Sequence, residues 1–330
     1  MNYFIKIFSN KPKEDINQIV ERLGYKNIAP NIRKNTGFWH FMTKLFSLFK
    51  ILWNIHKGDM LLIQYPMKKF VTPATWCAHL KGAKVTVLIH DLGCFRRKKL
   101  TVSHEMKRMN RMDEIIAHNP SMKQFMEENG CTTPIRCLGI FDYLSDSKPS
   151  DYSTPHSPWI VVYAGVLSYK RNSYLYQLDD KIDGWKMELY GRNYEAERGI
   201  GWKNMEYKGL LPSDDFIAKV EADFGLVWDG NSLDECSGAW GEYLRVNNPH
   251  KTSFYLRAHV PIIIWSKAAL APFIKENNVG IVVDSLKDIN SALKNLSESE
   301  YALMRKNAAE MGRKLDTGYF TQQALTASTN

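Results

Sequence analysis

The stretch Asp223–Trp265, DFGLVWDGNSLDECSGAWGEYLRVNNPHKTSFYLRAHVPIIIW, constrains the fold of this chain more than any other. FGLVW and VPIIIW are short apolar runs with the length and β-branched content of buried strands. Between them lie a polar loop and a helix start marked by Asn247-Asn248-Pro249-His250-Lys251, where proline is tolerated. A strand, a helix and a second strand make a β-α-β unit, which needs a parallel sheet with helices covering its faces. The free N–H groups and positive dipole end of that helix suit an anion, and Lys251, Thr252 and Ser253 would add a charge and two hydroxyls. An ordinary capped helix with a solvated lysine fits the same residues.

The alternation continues on both sides of this unit. Strands are expected at Tyr3–Phe8, Asp59–Gln64, Lys84–His90 and Glu114–Ala117, and again at Trp159–Gly165, Lys186–Gly191, Met205–Leu211 and Gly280–Val283. Helices are expected at Asp15–Leu23, His104–Arg111, Asn119–Glu128, Leu167–Leu178, Ser213–Val220, Ala268–Glu276, Ser285–Leu296, Ser299–Lys314 and Tyr319–Thr326. Ser145–Pro158 is poor in apolar residues and rich in Ser, Asp and Pro, so it reads as a linker. The expected organisation is α/β: a first domain over 1–150, a second over 151–315, and a last helix over 316–330 returning toward the first.

The 330 residues are enough for two domains, and 44% hydrophobic content excludes wholesale disorder. A net charge of +9 favours an anionic partner, a nucleotide, a nucleic acid or an anionic membrane surface; a basic proteome would also produce it. Five cysteines without a CxxC spacing suggest neither disulfides nor zinc and fit a reducing, cytoplasmic setting. The N-terminus lacks a signal peptide's apolar core, and no uncharged apolar run is long enough to span a bilayer. Phe38–His56 has polar residues at helical spacing beside a wide aromatic face. It reads either as a core helix or as one lying in an anionic membrane interface, with the Arg96–Lys99 cluster as a further contact.

Several strand ends carry candidate chemistry. Gly165 is followed by Lys170 and Arg171, which read either as a second cationic site for a diphosphate or as the solvated start of a helix. Tyr190-Gly191 and Tyr207-Lys208-Gly209 could admit and stack a base, or be simple turns. The loop with Asp229, Asp234 and Glu235 lacks a paired D-x-D, so neither a metal nor another cofactor is expected. Walker A and GxGxxG patterns are missing, which argues against a P-loop NTPase and a dinucleotide oxidoreductase. The first half offers His90-Asp91 at a strand's carboxyl end, where open α/β sheets bind ligands, though the pair fits a simple turn cap as well.

LVWDGNSLDECSGAWGEYLRVNNPHKTSFYL and VPIIIWSKAALAPFIKENNVGIVV resemble the bacterial β-1,6-galactofuranosyltransferases of O-antigen and capsule synthesis, as do LLIQYPM, VLIHDL, IAHNPSM, IFDYL and YAGVLSYK. The sequence is more distantly similar to a glucosyltransferase that extends glycans on streptococcal adhesins. The resemblance implies a GT-B fold, two Rossmann-like domains facing across a cleft, with UDP-galactofuranose as donor substrate and inversion at the anomeric carbon. By matching positions it implies that Asn248, Lys251, Thr252 and Lys170 contact the diphosphate, with Arg171 as an alternative to Lys170. Tyr163, Gly165, Tyr190 and Tyr207 would surround the nucleotide, and Asp229, Ser237 and Gly238 the sugar.

Inversion needs a general base from the acceptor domain. Asp91 beside His90 is the first choice and Asp142 the second. The expected acceptor is a glycan on a polyprenyl diphosphate at the inner membrane face, and the chain leaves room for an oligomer. Three alternatives stay open: a hexopyranosyltransferase, a non-catalytic module on the same fold, and a nucleic-acid binder. The last lacks every RNP, KH or zinc-finger pattern.

Overall fold

A computed structural model describes residues 1–6, 10–30, 37–96, 100–150 and 154–326, without the side chains of His40, Lys68 and Arg96. The Arg96–Lys99 cluster and the end of the Tyr3–Phe8 strand therefore lie outside the described residues. The chain divides into two compact units, Met1–Asp142 with Gly318–Asn330, and Tyr143–Thr317.

The first unit runs β1 (Asn2–Phe4), α1 (Lys11–Arg22), β2 (Lys26–Asn27), α2 (Gly37–Asn54), β3 (Met60–Tyr65), α3 (Val71–Leu80) and β4 (Lys84–Ile89). It continues with α4 (Gly93–Arg96), α5 (Val102–Met109), β5 (Glu114–Ala117), α6 (Pro120–Glu128) and β6 (Ile135–Cys137). Its sheet is parallel throughout, in the order β2-β1-β3-β4-β5-β6. Leu61, Ile63, Val85, Val87, Ile115 and Ile116 fill its core, because central strands of a parallel sheet are covered on both faces. Asn119 starts α6 as the sequence indicates, its side chain accepting from Met122 N at 2.8 Å.

The second unit runs β7 (Trp159–Val166), α7 (Tyr169–Asn172), β8 (Trp185–Arg192), β9 (Met205–Gly209), α8 (Ser213–Lys219) and β10 (Phe224–Val227). Then come α9 (Gly238–Leu244), α10 (His250–Arg257), β11 (Ile262–Trp265), α11 (Ala271–Glu276), β12 (Gly280–Val283), α12 (Ile289–Asn295) and α13 (Glu298–Thr317). Its parallel sheet has the order β12-β11-β10-β7-β8-β9. The chain winds outward from β7 to β9, returns to the other side of β7 with β10, and winds outward again. The carboxyl ends of β7 and β10 thus flank a topological switch point, the place where such sheets bind ligands. In the first unit the equivalent point lies between β1 and β3.

α14 (Tyr319–Thr326) belongs to the first unit and packs on α1. Residues 145–150 belong to the second, where Arg257 Nη2 donates to the carbonyls of Ser145 and Ser147 at 2.6 and 2.8 Å. The single helix expected over Leu167–Leu178 is instead α7 followed by a 3-10 turn at Ser173–Gln177. Asn172, turned inward as a hydrogen-bonding hub, occupies the junction. The short edge strands β2 and β6 had no counterpart among the sequence expectations.

Candidate functional site

In the second unit, Asp229 follows β10 at the switch point and is almost buried, its side chain 7% exposed. Two cations converge on it. Arg171, from α7 after β7, donates through Nη2 to Asp229 Oδ1 at 3.1 Å. Lys251, the second residue of α10, brings Nζ to 3.8 Å from Asp229 Oδ2. The Lys251 ammonium also lies 4.1 Å from the centre of the Tyr163 ring, and the Arg171 guanidinium 4.0 Å from that of Trp240. Two cations against one carboxylate leave this semi-buried place positive, suited to an anion.

Four buried polar atoms here make no hydrogen bond within the protein: Lys251 Nζ, Thr252 Oγ1, Arg171 Nε and Asn247 Oδ1. Such atoms are costly unless something else satisfies them, which is what a ligand site requires. Lys170, Arg171, Ser237 and Gly238 line a depression of about 310 Å³ with Asn231 and Trp240. Asn248 and Thr252 are buried at the start of α10. Gly230 has φ +127°, and a Cβ there would lie 2.6 Å from the backbone of Ser237, so only glycine lets the loop fold against that residue.

Asn172, Trp240 and Tyr255 complete the arrangement, and sequence reasoning named none of them. Asn172 Nδ2 donates to Tyr163 Oη at 2.9 Å and to the Val166 carbonyl at 2.8 Å, and its Oδ1 accepts from Gly230 N at 3.3 Å. Tyr255 Oη accepts from Ala164 N at 2.7 Å. Burial pushes the phenols of Tyr163 and Tyr255 well above their ordinary range, so both stay neutral. Gly165 packs against Tyr163 and against Gly191 on β8. Tyr190 and Tyr207 lie farther along the sheet: the Tyr190 hydroxyl donates to Glu188 at 2.8 Å, and the Tyr207 ring stacks on Tyr194 with centroids 4.2 Å apart. Among the described residues no three His, Cys, Asp or Glu side chains group as a metal site.

In the first unit, His90 and Asp91 follow β4. His90 Nε2 lies 2.8 Å from Gln64 Oε1, and its ring stacks on Phe141. Asp91 is half-buried. Buried Glu105 fixes the loop just beyond, accepting from Gly93 N and Cys94 N, each at 2.7 Å, and from Tyr65 Oη at 2.6 Å. Lys13 donates to the Pro66 carbonyl at 3.1 Å; burial, followed by nearby Lys44, lowers its pKa to about 8, with Asp91 acting in the opposite sense. Asp142 is committed elsewhere. Its carboxylate accepts from Phe320 N at 3.1 Å and Thr321 N at 2.7 Å, capping α14.

Two doubly wound units in one chain, one with a cationic site at its switch point, are the architecture of the GT-B fold, and the chain's relatives make the class a glycosyltransferase. The chain belongs to the glucosyltransferase 3-like family: residues 6–140 match that family's N-terminal domain and residues 161–328 its C-terminal domain. It is 32% identical to the β-1,6-galactofuranosyltransferase WbbI of Escherichia coli K12, across 91% of this chain and 88% of the relative. It is also 32% identical to glucosyltransferase 3 of Streptococcus gordonii, across 83% of this chain and 80% of that one. The solved structure of Anabaena HepE in complex with UDP superposes with a TM-score of 0.59 at 11% identity, covering 97% of this chain and 90% of HepE.

Proposed function

We infer that this glycosyltransferase uses a UDP-sugar, and that the sugar is galactofuranose, passed with inversion to a primary hydroxyl of a glycan in a β-1,6 linkage. The convergence of Arg171 and Lys251 on Asp229 carries the donor half of this reading. An entering diphosphate would take over both cations, and Thr252 Oγ1 and Lys251 Nζ would gain the hydrogen bonds they do not make within the protein. Lys170 and Asn248 would complete the diphosphate contacts. Ser237 and Gly238 would face the sugar, and Tyr163, Gly165, Tyr190 and Tyr207 the nucleotide side.

The reaction is one displacement. The acceptor oxygen bonds to the anomeric carbon as the bond to the diphosphate oxygen breaks, and that oxygen keeps the electron pair. The acceptor's proton passes to Asp91, while Lys251 and Lys170 offset the charge growing on UDP. His90 would orient the acceptor. Asp142 is the poorer candidate because its carboxylate already serves α14. No metal or other cofactor is required, since two or three cations neutralise the leaving group. The acceptor would be a polyprenyl-diphosphate-linked glycan on the cytoplasmic face of a membrane, in surface-polysaccharide synthesis.

A UDP-hexopyranose donor is the rival reading, favoured by the equal identity to a relative named for glucose. Purified protein offered UDP-galactofuranose, UDP-galactose, UDP-glucose and UDP-N-acetylglucosamine separates the two. Preferential turnover of the furanose is expected. Preferential turnover of a pyranose donor overturns the sugar assignment, and consumption of none with a competent acceptor would leave a binding module.

A further inference from the structure

Helix α2 is amphipathic in the inverted sense. Its inward side carries Thr43 and Ser47, whose hydroxyls donate to the carbonyls of Trp39 and Thr43 at 2.8 and 2.7 Å, beside Ile51. Its outward side carries Phe38, Phe41, Phe46, Phe49, Leu52 and Trp53, all exposed, with Trp53 85% open to solvent. At 3.6 residues per turn these six fall within an arc of about 140°. Lys44 and Lys50 flank the arc on either side. The neighbouring helix α3 adds exposed Trp76 and Leu80. A face this apolar and this exposed marks an interaction surface.

Charge decides what covers it. Between Glu21 and Asp91 the sequence carries one acid, Asp59, against eleven lysines and arginines, enough to account for the chain's whole net charge of +9. Asp59 itself is neutralised by the N-terminal ammonium at 2.7 Å. Neither α2 nor α3 contains an acidic residue. A second copy would bring more cations to a face that has no acid to pair them, whereas an anionic bilayer attracts the lysines and accepts the aromatic rings at headgroup depth. No helix among the described residues is long and apolar enough to cross a membrane, so the contact is one of lying on the surface.

We propose that the α2–α3 face of the first unit docks this enzyme on an anionic lipid bilayer, with Phe49 and Trp53 entering the interface and Lys44 and Lys50 at the headgroups. The inference rests on exposure and charge and stands whichever sugar is transferred. The full chain should cosediment at low salt with vesicles of phosphatidylcholine and phosphatidylglycerol, not with phosphatidylcholine alone, and should release at high salt. Trp53 emission should shift to the blue on binding. The double substitution Phe49→Glu with Trp53→Glu should lower the partition coefficient at least tenfold, with UDP affinity and far-ultraviolet circular dichroism unchanged. Three outcomes would overturn the proposal. One is no binding to the anionic vesicles at low salt. Another is binding that the double substitution leaves intact, which would assign it to the basic surface elsewhere. The third is a concentration-dependent dimer, seen by light scattering, that the substitution dissociates without any vesicle binding; a second copy would then cover the face.

Discussion

The Lys251 ammonium stands 4.1 Å from the centre of the Tyr163 ring, buried and without a hydrogen bond. The ring holds the charge in place without consuming its donors. Lys251→Met keeps most of the packing and removes the charge. It should weaken UDP binding about 10- to 100-fold, the worth of about one charge-assisted hydrogen bond at a semi-buried site. Titration calorimetry reads this directly, and an unchanged Kd would remove Lys251 from the diphosphate site.

Asp91 makes the opposite prediction. Asp91→Asn should lower the transfer rate by about 10²- to 10⁴-fold while UDP affinity stays within about threefold, because a general base acts on the acceptor proton and not on the nucleotide. Donor-saturated initial rates, paired with UDP titration, separate the two effects. Near wild-type turnover would exclude Asp91 as the base.

Much of the architecture was legible because parallel-sheet strands are covered on both faces. β5 and β12 coincide with the sequence-derived strands, and β3, β4, β7 and β11 agree within a residue or two at each end. β2 and β6 escaped because two or three residues at a sheet edge carry no periodicity. In the site, Lys251, Arg171 and Asp229 could each be named from local context. Their convergence could not, since it depends on β10 pairing with β7 across the switch point. Asn172 carried no local signal at all: its three partners lie on Tyr163, Val166 and Gly230, and only the folded chain brings them to one amide. Tyr207 reads as a stacking platform; one face of its ring lies against Tyr194, a neighbour invisible in the sequence, and the residue stays 37% exposed.

Gly191 tests the closest backbone approach near the site. It has φ +149°, and a Cβ there would fall 1.8 Å from the Gly165 carbonyl oxygen on the paired strand. The carbonyl cannot yield, since it is backbone in a central strand pair, and the added carbon is fixed to the backbone of the other strand. Gly191→Ala should cost more than about 3 kcal/mol. Gly184→Ala has a left-handed φ of +79° but nothing within 4 Å of the added carbon, so it should cost only about 1–2 kcal/mol. Urea unfolding of the two variants side by side distinguishes the clash from the φ penalty; equal losses would mean that the strand pair relaxes.

Asp142 predicts a pH dependence that has nothing to do with catalysis. Burial, partly offset by the Thr321 and Phe320 donors, raises its carboxyl to about 6, above the ordinary 3.8. The folded state therefore binds this proton more readily than the unfolded chain between about pH 4 and 6, so acidification through that window adds stability rather than removing it. Relative to Asp142→Asn, which cannot titrate, the wild type should gain about 2 kcal/mol between pH 7.5 and pH 4.5. Comparing the two proteins at both pH values cancels the other titrating groups. Because the carboxylate caps α14, hydrogen exchange at the Phe320 and Thr321 amides should report the same difference locally. A wild-type-to-variant difference that stays constant with pH would mean that Asp142 titrates as an ordinary carboxylate and that burial does not dominate it.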